Sequence, residues 1–461
     1  MTAWRVPHPL LLLLGGVAAA ALLTWILPAG RFDRRDDAAT GRRVVVAGTY
    51  RRVAASPVGP VAAAVSVPRG FVAGADVIAV VLFVGGAWVV VDRLGTLPAL
   101  VAVLVARFRR RGLWAIPIVS IFFAAMGALE NMQEEIIPLV PVLLLLGRGL
   151  GVDPIVVVAM SAGAAIVGSA FGPTNPFQAG IALKLAQLPP FAGGGLRVAM
   201  FVAGVAMWIA WTLRHAARNR VLGDGTGDGG GTGEGRRRDG GGTAESATLP
   251  GRHAAILAIA LTPMAFYVYG ALRWDWGFNE LSGAFLVAGV VAGLIGGLGA
   301  AGTLTAYLEG AASLLPAALM IGVARSISLV LEDGRVVDTI LNGLAAPLAH
   351  VSAVLAALLQ IPAHALVHLA VPSVSGQAVL TMPLFVPLAD LLGLSRQVPV
   401  LAYQTGAGLA ELVTPTNGAL MAVLLAAGVP FARWVRFAAG PIAIGVAIGV
   451  VAIVAAIVVR M

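Results

Sequence analysis

The chain is a series of long apolar runs separated by short polar breaks. Leu10–Leu27, Ala73–Val91, Val198–Leu213, Ala254–Leu272, Ser282–Ala300, Tyr307–Leu331 and Val435–Val459 are each almost continuously apolar. Helices of about 17–25 apolar residues cross a bilayer, so each run predicts a span. Ile155–Leu188 and Val398–Val429 are equally apolar but interrupted: the first holds GSAFGPTNPF at Gly168–Phe177, the second VTPTNG at Val413–Gly418. Prolines inside a span remove backbone donors and clash with the preceding turn, so the helix must unwind there. Unwound backbone at membrane depth is tolerated only where it is buried in protein or lines a wet cavity.

Two further runs fold back around a polar tip. Leu113–Leu129 and Ile136–Leu146 flank ENMQEE at Glu130–Glu135; Val351–Val371 and Ala378–Leu392 flank PSVSGQ at Pro372–Gln377. Arginines at 107 and 109–111 and Arg148 bracket the first pair, which reads as a re-entrant hairpin with its tip at depth; the second pair reads alike. Leu94–Arg111 and Val336–Leu348 suit helices lying on the membrane surface. Thr174-Asn175 and Thr416-Asn417 stand 242 residues apart, and Phe71–Gly74 lines up with Tyr307–Gly310. Repeats with discontinuous helices at matching places are the pattern of a secondary transporter.

The predicted fold class is an all-α polytopic membrane protein. It has two inverted-topology repeats, about nine spans, two of them broken, and two re-entrant hairpins. The expected parts are 1–70, a first span and an extracytoplasmic loop; 71–213, repeat 1 with hairpin 113–148 and broken span 155–188; and 214–252, a cytoplasmic Gly/Arg-rich linker. Two connecting spans, 253–304, then lead to 305–461, repeat 2 with hairpin 351–392 and broken span 398–429. Arg31–Arg69 reads as a loop, with short strands around Arg43–Tyr50.

Composition supports this class. Of 461 residues 59% are apolar and 11% charged, against about a quarter charged in soluble domains. The runs are too long and too continuous for an outer-membrane barrel. The net charge of +9, nearly all arginine, needs no nucleic acid, because basic loops follow from topology and anionic lipid. Positive clusters at Arg107–Arg111, Arg148 and Arg214–Arg220 predict the cytoplasmic face; the eight arginines within Arg31–Arg69 pull the other way. With no cysteine, disulfide and thiol chemistry are excluded. Leu10–Leu27 is long for a signal-peptide core and lacks a clear cleavage site, so it reads as the first span.

The chemistry should lie where the tips and breaks meet. Unwound helices leave N–H groups that attract a carboxylate and carbonyls that attract a cation. The candidates from the breaks are Thr174, Asn175, Thr416 and Asn417; from the second tip, Ser373, Ser375, Gly376 and Gln377. Sodium is the metal the Thr-Asn pairs would suit; no other metal site is expected. At the first tip Glu130, Asn131, Glu134 and Glu135 are candidates, since an ionisable group at depth is expensive and marks a functional hypothesis. Such acids could carry a proton, ligate a cation or pair with a cationic substrate. Arg325, inside LMIGVARSISLV, could clamp a carboxylate or neutralise an acid. His364 and His368 are one turn apart without a third ligand, so core hydrogen bonding is the better reading than zinc. Gly297–Gly302 spells GxGxxG but follows no strand, and the dinucleotide reading fails. No nucleophile with its base and no phosphate loop is present, so neither an enzyme nor an ATP-driven pump is expected.

MGALENMQEE, GSAFGPTNPF, ARSISLVLEDGRVVDTI and above all VPSVSGQAVLTMPLFVPLAD followed by TPTNG resemble the YfcC-like branch of the anaerobic C4-dicarboxylate carrier family, within the ion-transporter superfamily. The resemblance runs from about Ala29 to Arg436. It implies an inner-membrane secondary transporter, a homodimer working by an elevator movement, with Na+ or H+ as coupling ion and no cofactor. Relatives in the superfamily handle dicarboxylates with Ser-Asn-Thr tips; this chain carries ENMQEE and PSVSGQ there. The branch is described as exchanging basic amino acids, which acids at the first tip and Arg325 fit. The expectation is therefore an ion-coupled symporter or antiporter of a small amino acid, with the basic amino acids as candidates. The alternatives are a C4-dicarboxylate carrier of the same fold, or an ion channel or membrane receptor.

Overall fold

The computed structural model describes residues 9–37, 42–100, 103, 112–173, 175–189, 192–219, 249–274 and 276–459. The Gly-rich linker and most of the expected surface helix after Leu94 lie outside the described residues. Among those described, eight helices are long and apolar enough to cross a membrane.

The helix α1 (Pro9–Ile26) leads into a small extramembrane unit. There β1 (Gly30–Arg31) pairs antiparallel with β4 (Arg51–Arg52), and β2 (Arg34–Asp37) with β3 (Arg42–Val45) in the register Arg34↔Val45. The strands begin earlier than the expected Arg43–Tyr50. Phe32 and Val45 point inward onto Leu341, Val367 and Leu384, so this unit sits against helices of the last third of the chain. The predicted loop does not continue to Arg69: α2 (Pro60–Ala73) fills its end. Pro60 pre-sets the first helical turn and no charge interrupts PVAAAVSVP, but 14 residues fall short of a span and leave no span-length signal.

The chain then makes α3 (Ala75–Arg93), α4 (Ala115–Glu130), α5 (Val140–Leu150) and α6 (Pro154–Phe171), the last with a π-helical turn at Ala159–Gly163. After the break follow α7 (Ile181–Leu185) and α8 (Gly194–Arg218). Next come α9 (Gly251–Arg273), α10 (Phe278–Ile295), α11 (Gly299–Ser313) and α12 (Leu315–Asp333). Tyr307–Leu331 is thus not one span. Pro316, lacking an N–H, opens a new helix in its middle. The GxGxxG run begins as the turn between α10 and α11, with Gly297 at φ 85° and Gly299 at φ 68°, where a side chain would be strained.

The last part is α13 (Val337–Ala345), α14 (Ala353–Ala370), α15 (Val374–Leu391), α16 (Gln397–Ala410), α17 (Gly418–Ala426) and α18 (Phe431–Val458). Packing is reciprocal: α3 is held by α10 and α11, while α12 is held by α1 and α2. In the centre α4 lies on α6, α14 on α16, and α6 on α16. Glycines permit this. A Cβ on Gly168 would stand 2.0 Å from Ala124 O, and one on Gly406 2.2 Å from Ile361 O. Outside them α8 and α18 close the layer through Trp208, Trp434 and Phe437.

Ion pairs tie connections far apart in the chain: Arg34 with Asp338, Arg69 with Asp333, Arg93 with Glu309 and Arg433 with Asp153.

Candidate substrate-binding site

The first broken span ends α6 at Phe171 and restarts at Pro176. Asn175 Oδ1 accepts from Phe177 N and Gln178 N, both at 2.9 Å, and caps the restart. Its Nδ2 donates to Ser169 Oγ (2.9 Å) and Gly127 O (3.0 Å). Ser169 in turn donates to Asn131 Oδ1. Asn131 is the left-handed residue (φ 60°) that ends α4, a conformation asparagine tolerates. The first hairpin tip is therefore locked onto the first break.

The second break repeats the cap. Asn417 Oδ1 accepts from Leu420 N at 3.1 Å, and its Nδ2 donates to Gln133 Oε1 at 3.4 Å. Gln133 Nε2 donates to Glu411, just past α16. One tip therefore touches both breaks, Asn131 the first and Gln133 the second. In both breaks the asparagine oxygen faces backbone N–H groups, a cap arrangement.

The second tip is shorter than PSVSGQ suggests. The helix α15 restarts at Val374, so only Val371–Ser373 is unwound. Ser373 Oγ accepts from Gly376 N at 3.2 Å. Gln377 is buried behind the tip, donating to His364 O (2.8 Å) and facing His368 Nδ1 (2.9 Å). His364 packs between Phe385 and Tyr403.

These elements enclose a cavity of about 400 Å³. It is lined by the predicted Asn131, Glu134, Glu135, Arg325, Ser373, Ser375, Thr416 and Asn417. Asn175, Gly376 and Gln377 are not on its wall; they hold the wall in place. Thr174 and the Glu130 side chain lie outside the described residues. The Thr416 hydroxyl donates to Leu369 O at 3.0 Å, tying the second break to α14.

Among the lining groups that escaped the sequence reading are Asp76, Gln133 and Glu411. Glu411 carried the signal already applied to the first tip, an acid inside an apolar run just before TPTNG. Asp76 looked like the edge of an ordinary span, because nothing local reveals that α3 starts at the cavity. Gln133 is uncharged. No cluster of three or more metal-ligating His, Cys, Asp or Glu side chains occurs among the described residues.

A family model described as the C4-dicarboxylate anaerobic carrier matches residues 6–458. The chain belongs to this family. Among curated proteins, it is 29% identical to the Escherichia coli K12 protein called "Putative basic amino acid antiporter YfcC", covering 95% of this chain and 93% of that one. An uncharacterized Haemophilus influenzae protein is also 29% identical, over 86% of this chain and 78% of its own length. Among solved structures, the Alcanivorax borkumensis YdaH transporter is 17% identical with a TM-score of 0.42, covering 98% of each chain. Neisseria gonorrhoeae MtrF, from a class of antimetabolite efflux pumps, is 16% identical with a TM-score of 0.41, covering 97% and 96%. Family membership and the apolar helices make this carrier-family member a multi-pass membrane transporter rather than an enzyme or a receptor.

Proposed function

We propose that this carrier-family member is a secondary active transporter of a small basic amino acid, bound in the cavity between the two tips and the second break. One observation carries the reading. Among its described lining residues the cavity gathers four acids, Asp76, Glu134, Glu135 and Glu411, around a single cation, Arg325. Like charges in a poorly hydrated site repel strongly, so a dicarboxylate would face a mostly acidic wall with one guanidinium to hold it. A basic amino acid matches the set: Arg325 forms paired hydrogen bonds with its carboxylate, while the acids face its ammonium and side-chain cation. The relative called an antiporter of basic amino acids supports the same substrate class.

Alternating access around this cavity, in two repeats of opposite topology and as a homodimer moving elevator-fashion, is the transport cycle we attach to the site. The reciprocal grip of α10 and α11 on α3, and of α1 and α2 on α12, supports the repeat.

A thermal-shift screen of the purified protein tests the substrate. Arginine, lysine, ornithine, succinate, fumarate and neutral amino acids are compared with and without Na+ at two pH values. A ligand at a hundred times its Kd stabilises the folded state by about 2.7 kcal/mol. Stabilisation by basic amino acids alone is the expected result. Stabilisation by succinate, strengthened by Na+, sinks the reading in favour of a dicarboxylate carrier.

A further inference from the structure

His368 and Glu411 face one another across the wall of the cavity, and their neighbours fix which atoms carry hydrogen. Gln377 Nε2 donates to the backbone carbonyl of His364 at 2.8 Å. A carbonyl only accepts, so the amide of Gln377 is oriented with its oxygen towards His368 Nδ1, at 2.9 Å. An amide oxygen also only accepts, so Nδ1 of His368 carries the hydrogen. In a neutral imidazole the lone pair is then on Nε2. That atom has no hydrogen-bond partner and stands 3.7 Å from Glu411 Oε1.

The other side of Glu411 is fixed in the same way. Gln133 Oε1 accepts from Asn417 Nδ2, which leaves Gln133 Nε2 to donate to Glu411 Oε2. The remaining oxygen therefore faces a ring lone pair, with His368 fully buried and Glu411 4% exposed. Two acceptors facing each other away from water are unfavourable. One proton between them removes the conflict, on Glu411 as a carboxylic acid or on His368 as an imidazolium beside a carboxylate.

We infer that Glu411 and His368 hold one exchangeable proton, and that this proton and a cationic substrate exclude each other at Glu411. The inference rests on the basic-substrate reading. When the cavity opens, the Glu411 O–H bond breaks and the proton passes to cavity water. The freed carboxylate pairs with the incoming ammonium or guanidinium. When that cation leaves on the other face, a proton returns to the pair. Exclusion at one carboxylate couples the two cations in opposite directions, which is antiport. The other charged groups on the same wall are Glu134 and Glu135 from the first tip, Asp76 from α3 and Arg325 from α12. Gln133 makes the coupling structural as well: it belongs to the first tip, so a change at Glu411 is felt there.

The test is arginine binding to the full-length purified protein by calorimetry in two buffers of different ionisation enthalpy. Wild type is expected to release protons on binding, and its affinity to rise about tenfold per pH unit on the acid side of the transition. Glu411→Gln is expected to bind more weakly, with no proton release at that transition and no pH slope. A wild type that releases no proton, or a Glu411→Gln protein that keeps the slope, overturns the inference. Difference infrared spectroscopy gives a second measurement independent of that variant's folding. A protonated-carboxyl band should vanish from wild type when arginine binds, and folded Glu411→Gln should lack that band before any ligand is added. Its absence from wild type, or its persistence in Glu411→Gln, overturns the assignment. If arginine, lysine and ornithine all fail to bind wild type, the basic-substrate reading has failed first, which is a distinguishable outcome.

Discussion

Gln404 on α16 donates its side-chain amide to Gly172 O at 3.2 Å and to Ala170 O at 3.3 Å, so a helix of the second broken span satisfies the carbonyls that the first one leaves open. The break at Gly172 is affordable in the membrane because this donor arrives from another helix. Gln404→Leu leaves both carbonyls without that donor and should destabilise the protein by about 1–3 kcal/mol. Thermal unfolding in detergent, followed by loss of the folded peak in size exclusion, reads the shift. An unchanged melting temperature would show that the break is satisfied some other way.

The two asparagine caps should differ in weight. Asn175 makes two cap bonds and ties the first break to α4 through Gly127 and to the end of α6 through Ser169. Asn417 makes one cap bond and one long contact to Gln133. Loss of a cap costs about 0.5–2 kcal/mol, and Asn175→Ala should exceed Asn417→Ala because it also strands buried partners. Both variants should lose uptake while still inserting. Wild-type transport by correctly inserted Asn175→Ala and Asn417→Ala proteins would remove the breaks from the mechanism.

Arg325 is the only cation among the described residues lining the cavity, so it should report on the substrate's carboxylate and nothing else. Arg325→Met should weaken arginine binding at least about tenfold, the scale of one charge-assisted hydrogen bond. Binding of agmatine, which is arginine without its carboxylate, should change little. Equal losses for both ligands would mean that Arg325 supports the wall rather than the ligand.

Close helix approach should be intolerant of added volume at matching places in both halves. Gly168 meets Ala124 O and Gly406 meets Ile361 O at distances a real Cβ cannot adopt. In each case the obstacle is backbone, which cannot rotate aside. Gly168→Val and Gly406→Val should each abolish monodisperse folded protein. Gly343, with open space around its Cβ position, serves as the control, and Gly343→Ala should behave as wild type.

The ties between connections should rank by burial. Asp153 is 8% exposed, caps the start of α6 through Ile155 N and accepts from Arg433 at 2.6 Å. Asp153→Ala should cost about 1–3 kcal/mol. The Arg69 and Asp333 side chains are 49% and 39% exposed, and such pairs contribute under about 1 kcal/mol. Asp333→Asn should therefore shift the melting temperature only slightly, and less still in high salt.

Much of this architecture is local and so was legible. A span is a matter of run length, and α3, α8, α14 and α18 lie where the apolar runs lie. A break is a matter of proline and a capping residue; Pro-Thr-Asn marked both, and the asparagine caps are there. The polar tips were legible because polar residues between two apolar runs mark where a helix stops, and helices do end at Glu130 and Ala370. Length also explains the failures. At 14 residues α2 was too short to register, and α11 was hidden because its apolar end runs without a charge into α12.

The sequence by itself determined a polytopic helical membrane protein with two Pro-Thr-Asn breaks, two polar tips and a guanidinium in a span, because each depends only on neighbours along the chain. The tertiary structure decided what those pieces form. Gln133 reaches Glu411 across 278 residues, Asp76 joins the same wall from the start of α3, and Gln377 turns away from the cavity to orient His368. These outcomes depend on which helices come within hydrogen-bond reach of one another. Glycine contacts and reciprocal packing set that distance, and no periodicity along a single helix encodes it.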